Sequence, residues 1–163
     1  MKRLISLPRR LVFIFAPCLF AASVLTPHYA AAATTRVDDT GTVVTQSVVP
    51  MRWRQLVPGR GADNSVEASV RVALRLNLSR WLNQPVRLYM ALAPAAGEPI
   101  FVTWRTQGRL LPGAVRSGGR TLIFDGVAST ASLEETIELT LRTDGRALVS
   151  SQALQFYFEV DTP

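Results

Sequence analysis

The sequence predicts an all-β protein built as a two-sheet antiparallel β-sandwich of about seven strands. The first observation is alternation of apolar and polar residues over most of the chain, the pattern of strands with one buried face. The second is the spacing of these segments, which are separated by short turns rich in glycine and proline. The chain has 163 residues, a length that fits one domain better than two. The sequence alone does not exclude a closed barrel.

Residues 1–33 have the order of a secretory signal peptide, with basic residues first, then an apolar stretch and then small residues. The uncharged stretch 11–25 contains Pro17 and is shorter than the roughly 20 apolar residues that a spanning helix needs. We therefore expect cleavage after Ala32 or Ala33 and no membrane span in the mature chain. The predicted location is the periplasm, leading to the cell surface or to secretion.

Cleavage would change both the charge and the available chemistry. It would leave 14 arginines against 12 acidic residues, a formal charge of +2 in place of +6, so we expect no nucleic-acid partner. It would also remove Cys18 and His28, the only cysteine and histidine. Without them the usual catalytic triads, thiol nucleophiles and zinc ligand sets are excluded. We expect no enzyme activity, no catalytic residue, no cofactor and no metal.

The mature chain contains seven candidate strands. The clearest runs from Val66 to Leu78, where every even position is apolar. On a helix these residues would be scattered around every face, so the segment is predicted to be a strand. The remaining candidates are 51–57, 86–92, 100–104, 122–124, 137–141 and 154–160.

Turn residues separate these strands. The segments 93–99 and 111–120 are rich in proline and glycine, and Asp144-Gly145 is a pair that tolerates a tight hairpin. The connection 79–85 contains the apolar Trp81 and Leu82, and we expect it to close one end of the core. An antiparallel meander is the arrangement that these turns indicate.

Residues 34–50 form an extended N-terminal tail before a sandwich domain at 51–163. The tail is poor in large residues but rich in β-branched ones, which favours an extended conformation. Its strand-forming residues are Val43, Val44, Val48 and Val49.

Two groups of side chains qualify as candidate functional residues. Glu134, Glu135 and Glu138 could share acid and base chemistry, but neighbouring strand residues point to opposite faces, so a solvated strand face explains them more simply. Trp53 and Trp81 could be surface contacts for a glycan, whereas Trp104 shares the parity of Ile100 and Val102 and is predicted to face inward.

A signal peptide, a valine-rich tail and a final strand of alternating aromatic residues resemble the subunits of chaperone-usher fimbriae. The final strand carries Leu154, Phe156, Phe158 and Val160. The resemblance implies an immunoglobulin-like sandwich that lacks one strand. It also implies that a periplasmic chaperone supplies that strand during export through an usher, and that the next pilus subunit's tail replaces it in the fibre.

Two functions follow from these observations. The first is a structural or assembly subunit of a bacterial fimbria or pilus, in which the tail valines enter a groove lined partly by the last strand. The second is a monomeric periplasmic or secreted module that recognises a glycan or a protein through its loops, with Trp53, Trp81 and arginines as contacts.

Overall fold

The protein is a two-layer β-sandwich made of antiparallel sheets. The structure, a computed structural model, describes residues 33–46, 48–55, 61, 63–147 and 154–162. The predicted signal peptide, apart from Ala33, lies outside the described residues. No helix in the described part of the chain is long and apolar enough to cross a membrane. The all-β prediction is confirmed.

Ten strands are present among the described residues. In chain order they are β1 (Ala33–Arg36), β2 (Val43–Val44), β3 (Arg52–Trp53), β4 (Ser65–Asn77), β5 (Pro85–Leu92), β6 (Phe101–Arg105), β7 (Gly113–Arg116), β8 (Arg120–Val127), β9 (Ser132–Asp144) and β10 (Phe156–Thr162). Two short 3-10 helices span Ser79–Trp81 and Gly145–Ala147. The seven predicted strands do not include β1, β2 or β7, because each is too short to show an alternating pattern, although Val43 and Val44 of β2 were predicted to be strand-forming residues of the tail.

The strands form two sheets whose inner faces enclose the core. Sheet A has the order β1-β10-β5-β8, and sheet B has the order β2-β4-β9-β6-β7, with β3 also paired to β4. The predicted alternation of β4 is confirmed, because its even positions from Val66 to Leu76 are all buried. The largest fully buried side chains come from both sheets: Phe158, Leu76, Leu78, Leu88, Met90, Ile123, Ile137 and Leu139.

The connections differ from the predicted meander. The central pair of sheet B joins β4 to β9, which are far apart in sequence. The hairpin predicted at Asp144-Gly145 is wrong, since β9 and β10 belong to different sheets and the chain enters a 3-10 helix at Gly145. A β-carbon at Gly145 would lie 2.6 Å from the Trp53 ring, so close packing accounts for the glycine.

Strand β8 corrects a second prediction. The alternating pattern at 122–124 predicts Leu122 and Phe124 on the buried face. Phe124 packs against the core, but Ile123 is the fully buried residue, and Leu122 is only partly buried. The register against β5 shifts between Leu88 and Tyr89. The extra residue of this β-bulge changes which residues of β8 face the core, because a bulge shifts the inward and outward alternation of a strand by one residue.

Candidate functional site

The two ends of the described chain meet at one edge of sheet A. Strand β1 pairs antiparallel with β10, in a register that sets Ala33 opposite Thr162 and Arg36 opposite Glu159. The pairing continues beyond β1, where the Val37 amide donates to the Phe158 carbonyl at 2.8 Å. The N-terminal strand therefore covers the main-chain edge of the last strand.

Few side chains of β1 contribute to the core. Thr34 and Arg36 are exposed and Thr35 is partly buried, whereas Val37, directly after the strand, is 2% exposed and belongs to the core cluster. The Arg36 guanidinium lies 5.0 Å from the centre of the Tyr157 ring. Main-chain hydrogen bonds, a single buried valine and surface contacts thus hold the N-terminal strand.

An ionic network on the outer face of sheet A reaches β1 through Asp161. The Arg120 guanidinium donates to Asp161 at 3.1 and 3.2 Å and to Glu159 at 3.2 Å, and it lies 4.4 Å from the centre of the Tyr89 ring. The Thr34 hydroxyl donates to the same Asp161 carboxylate at 2.7 Å. The Thr34 hydrogen bond, and then Arg120, hold the pKa of Asp161 below its usual value, although burial opposes them.

A tight turn carries the chain from sheet A to sheet B. The Asp38 carboxylate accepts hydrogen bonds from the Thr40 amide, at 3.1 Å, and from the Thr40 hydroxyl, and these bonds lower the pKa of Asp38. The Asp38 carbonyl accepts from the Asn77 amide at 2.9 Å. An Asp side chain that accepts a hydrogen bond from the backbone amide two residues later forms an Asx turn. The conformation of this turn is therefore set by local residues.

The tail valines lie on sheet B instead of beside the last strand. Val43 and Val44 pair with Ala73 and Val72 of β4 and are 60% and 40% exposed. Val48 is 80% exposed, while Val49 is partly buried against the core. The segment that contacts the last strand is 33–37, at the beginning of the predicted tail and before its valines.

The residues predicted on the last strand are mostly internal. Phe158 and Val160 are fully buried, and Leu154 and Phe156 pack against the core. The Phe156 and Phe158 rings contact edge to face, with centroids 6.1 Å apart. These side chains face the core, so another strand could pair only with the backbone edge of β10, which β1 covers.

The two candidate contact tryptophans have different environments. Trp53 is 44% exposed, whereas Trp81 is 8% exposed and belongs to the core cluster. Trp81 therefore closes the core, as expected of the 79–85 connection, and offers little surface to a ligand. Trp104 faces inward as predicted, and its indole N–H donates to the Leu111 carbonyl at 2.8 Å.

The glutamates of β9 do not form an acid–base pair. Glu134 and Glu138 are exposed, and Glu134 pairs with Arg75 at 3.2 Å. Glu135 points the other way and accepts hydrogen bonds from the backbone amides of Gly108, Arg109 and Leu110 at 2.9 to 3.1 Å. It anchors the loop before β7, a role that the sequence pattern did not reveal.

The described residues contain no group of three or more acidic, histidine or cysteine side chains that could hold a metal ion. Comparison of the chain with protein-family models, with curated proteins and with solved structures finds no match. The paired chain ends at the edge of sheet A are therefore the candidate functional site, on the strength of their geometry.

Proposed function

We propose that the chain is a structural or assembly subunit of a bacterial surface appendage of the fimbrial type, joined to its neighbours by exchange of the N-terminal strand. The observation that supports the proposal is the position of β1, which covers the edge of the C-terminal strand β10. The donor segment in this proposal is 33–37, in place of the 43–49 segment expected from the sequence.

The contacts of β1 are of a kind that a second copy can reproduce. Main-chain bonds to β10, the Thr34 hydrogen bond to Asp161 and burial of Val37 all form equally well when the strand comes from another copy. The Asp38–Gly41 turn is the segment that would open. Within one chain the strand competes at an effective concentration in the millimolar range, so exchange requires high local concentration or helper proteins.

That requirement gives the expected partners a physical role. A periplasmic chaperone would occupy the β10 edge until an usher brings another pilus subunit to it, which prevents closure by the chain's own strand. Export by the signal peptide to the periplasm, and from there to the cell surface, belongs to the same proposal.

A second function competes with strand exchange. Because β1 completes sheet A within its own chain, a chain that keeps this pairing is a self-contained sandwich. Such a chain would be a monomeric periplasmic or secreted binding module that recognises a glycan or a protein.

A disulfide between β1 and β10 separates the two functions. Thr34→Cys and Asp161→Cys would replace side chains that already touch, at opposed positions whose antiparallel spacing of about 5 Å suits a disulfide. With Cys18→Ser in the same chain, the introduced thiols are the only ones. Exchange predicts that the purified protein, concentrated and then oxidised, gives a ladder of linked multimers on a non-reducing gel.

A matched pair of cysteines in sheet B controls for disulfides that form between chains through random collision. Ser69→Cys with Thr140→Cys joins register partners of β4 and β9 and should give monomers with an internal disulfide only. If the β1–β10 pair also gives only internal disulfides, and light scattering finds monomers at every concentration, strand exchange is rejected and the binding-module function replaces it.

A further inference from the structure

The outer face of the β4–β9 pair carries opposite charges at matching positions. Three charged residues of β4 lie on this face, and the register places a residue of opposite charge on β9 beside each of them. The three charged rows are Glu67 with Arg142, Arg71 with Glu138, and Arg75 with Glu134. All six residues are exposed. These rows are neutral in sum, with three arginines and three glutamates.

Small residues separate the charged rows. Ser69 lies opposite Thr140, with their hydroxyl oxygens 3.5 Å apart, and Ala73 lies opposite Thr136. Thr140 is partly exposed and the other three residues are exposed. Because no bulky side chain stands between the charged rows, the longer side chains have space to bend, and a second flat surface can approach this face.

The middle charged row differs from the two outer rows in its ion pairs. The outer rows already form ion pairs within the chain, at 3.2 to 3.4 Å: Arg75–Glu134, Arg54–Glu67 and Arg142–Asp63. Arg71 and Glu138 are register partners, but neither forms an ion pair with any residue that the structure describes. The guanidinium and the carboxylate of the middle row are therefore available to a partner.

The charge pattern of this face is complementary to a second copy of itself. Two copies can pack face to face about a two-fold axis that runs parallel to the strands, between β4 and β9. β4 of each copy then lies over β9 of the other, and each row meets the same row with its strands exchanged. Arg71 therefore lies over Glu138 of the second copy, and Glu138 lies over Arg71. The outer rows match in the same way, and small rows meet small rows.

A two-fold axis perpendicular to the strands gives a different result. It places Arg71 over Arg71 of the second copy and Glu138 over Glu138, and like charges in direct opposition repel each other. The middle row therefore selects the axis parallel to the strands. Packed sheets cross at about 30°, which displaces the outer rows more than the middle row. Arg71 and Glu138 are the contacts that such a crossing preserves.

The size of the face predicts a weak association. Four strands about 4.8 Å apart and nine residues of about 3.3 Å each, from 67 to 75, cover about 500 Å² on each copy, or about 1,000 Å² in total. This area is at the lower limit for a specific interface. Arg105 of β6 also lies in the middle row and adds a positive charge that no carboxylate of the second copy matches.

We propose that the outer face of β4 and β9 is a self-association surface, through which two copies of this chain pack face to face with two-fold symmetry. The proposal goes beyond strand exchange, because it uses sheet B and leaves the backbone edge of β10 untouched. In a fibre built by strand exchange, the same surface would join neighbouring fibres side by side.

Sedimentation velocity of the full chain tests the proposal in a form that cannot exchange strands. The disulfide between Thr34→Cys and Asp161→Cys, with Cys18→Ser in the same chain, is formed in dilute solution, and the internally linked monomer is isolated. We expect this protein to form dimers as its concentration rises to about 1 mM, and added salt to dissociate them. Monomers over the whole range would overturn the self-association proposal without bearing on strand exchange.

Charge reversal in the middle row tests the two-fold packing in the same locked protein. Arg71→Glu brings carboxylates over each other at two places in the dimer, so the association should weaken at least about ten-fold. Glu138→Arg should have the same effect, with guanidinium groups in place of carboxylates. An equimolar mixture of the two variants should recover most of the lost association, because every reversed position then meets an opposite charge.

Arg87→Glu and Asp125→Arg are the matched pair on sheet A. These residues are exposed register partners on β5 and β8, joined by an ion pair at 3.4 Å, and their reversal changes the net charge by the same amounts. Neither variant should weaken the dimer. Equal losses in the sheet A variants, no loss in Arg71→Glu, or no recovery in the mixture of sheet B variants would overturn the two-fold packing.

Discussion

The β4–β9 pair and the β1–β10 pair represent two contrasting kinds of strand pairing in this protein. β4 and β9 face each other over thirteen consecutive register pairs, whereas β1 faces β10 over four. The long pair contributes buried side chains from both of its strands, whereas in the short pair β10 buries Phe158 and Val160 and the N-terminal segment adds Val37, directly after β1. The long pair is therefore the scaffold, and the short pair is the one for which we propose exchange.

The largest expected effect comes from the scaffold. Leu139 of β9 is 1% exposed and lies between Val70 and Trp104 in the register. Leu139→Ala should lower the free energy of unfolding by about 2 to 5 kcal/mol, because it removes buried apolar contacts and leaves a cavity. Urea denaturation measures the loss. Thr136→Ala, an exposed position on the same strand, should change stability by about 0.5 kcal/mol or less.

An intermediate effect is expected where the N-terminal segment enters the core. Val37→Ala should cost about 1.5 to 2 kcal/mol, since it removes two buried carbon groups worth about 0.8 kcal/mol each. Val48→Ala is the matched control, because Val48 is 80% exposed and should have almost no effect on stability. The amide of Val37, bonded to Phe158, should also lose protection from hydrogen exchange in Val37→Ala. Unchanged protection there would contradict the view that this valine holds the strand.

The same contrast explains which parts of the fold were predictable. The thirteen-residue alternation of β4 shows its buried face directly, because an amphipathic strand of that length has one pattern that fits. Strands β1 and β2 have four and two residues, and their position depends on partners about 130 and 30 residues away. Local sequence carries no information on such pairing. The prediction therefore gave the donor role to the valine-rich segment 43–49, whereas the segment that pairs with β10 is 33–37.

The candidate functional residues follow the same rule: those within a local pattern were predictable, and those that depend on distant partners were not. Trp104 was readable as a core residue because it occurs in an alternating apolar pattern, and it is buried. Trp81 was a candidate surface contact within a connection expected to close the core, and it too is buried. The row of Ser69, Thr140 and Thr103 across sheet B was not readable, since only the sheet register brings residues of β4, β9 and β6 together. The loop-anchoring role of Glu135 was missed for the same reason, because its partners are 25 to 27 residues away.

The smallest expected effect concerns the hydrogen bond between Thr34 and Asp161. Because the folded-state pKa of Asp161 is lowered, its contribution to stability is present above the unfolded-state pKa, near 3.9, and is lost as the pH falls through the lower folded value. Thr34→Val removes the largest cause of the shift. An NMR titration of the side-chain carboxyl should therefore show the pKa of Asp161 rising toward its usual value.

Asp38 provides the internal reference for that titration. Its pKa is lowered by Thr40, which is local to the turn, so Thr34→Val should leave it unchanged if β1 alone is loosened. Arg120 still binds Asp161 in the variant, so the pKa should rise only part of the way. If the pKa of Asp161 does not move, Thr34 does not contact this carboxylate in solution. The contact of Arg36 with the Tyr157 ring is then the remaining surface contact that holds β1. If both pKa values rise, the loosening has spread through the turn, and the N-terminal segment separates from the scaffold as one unit.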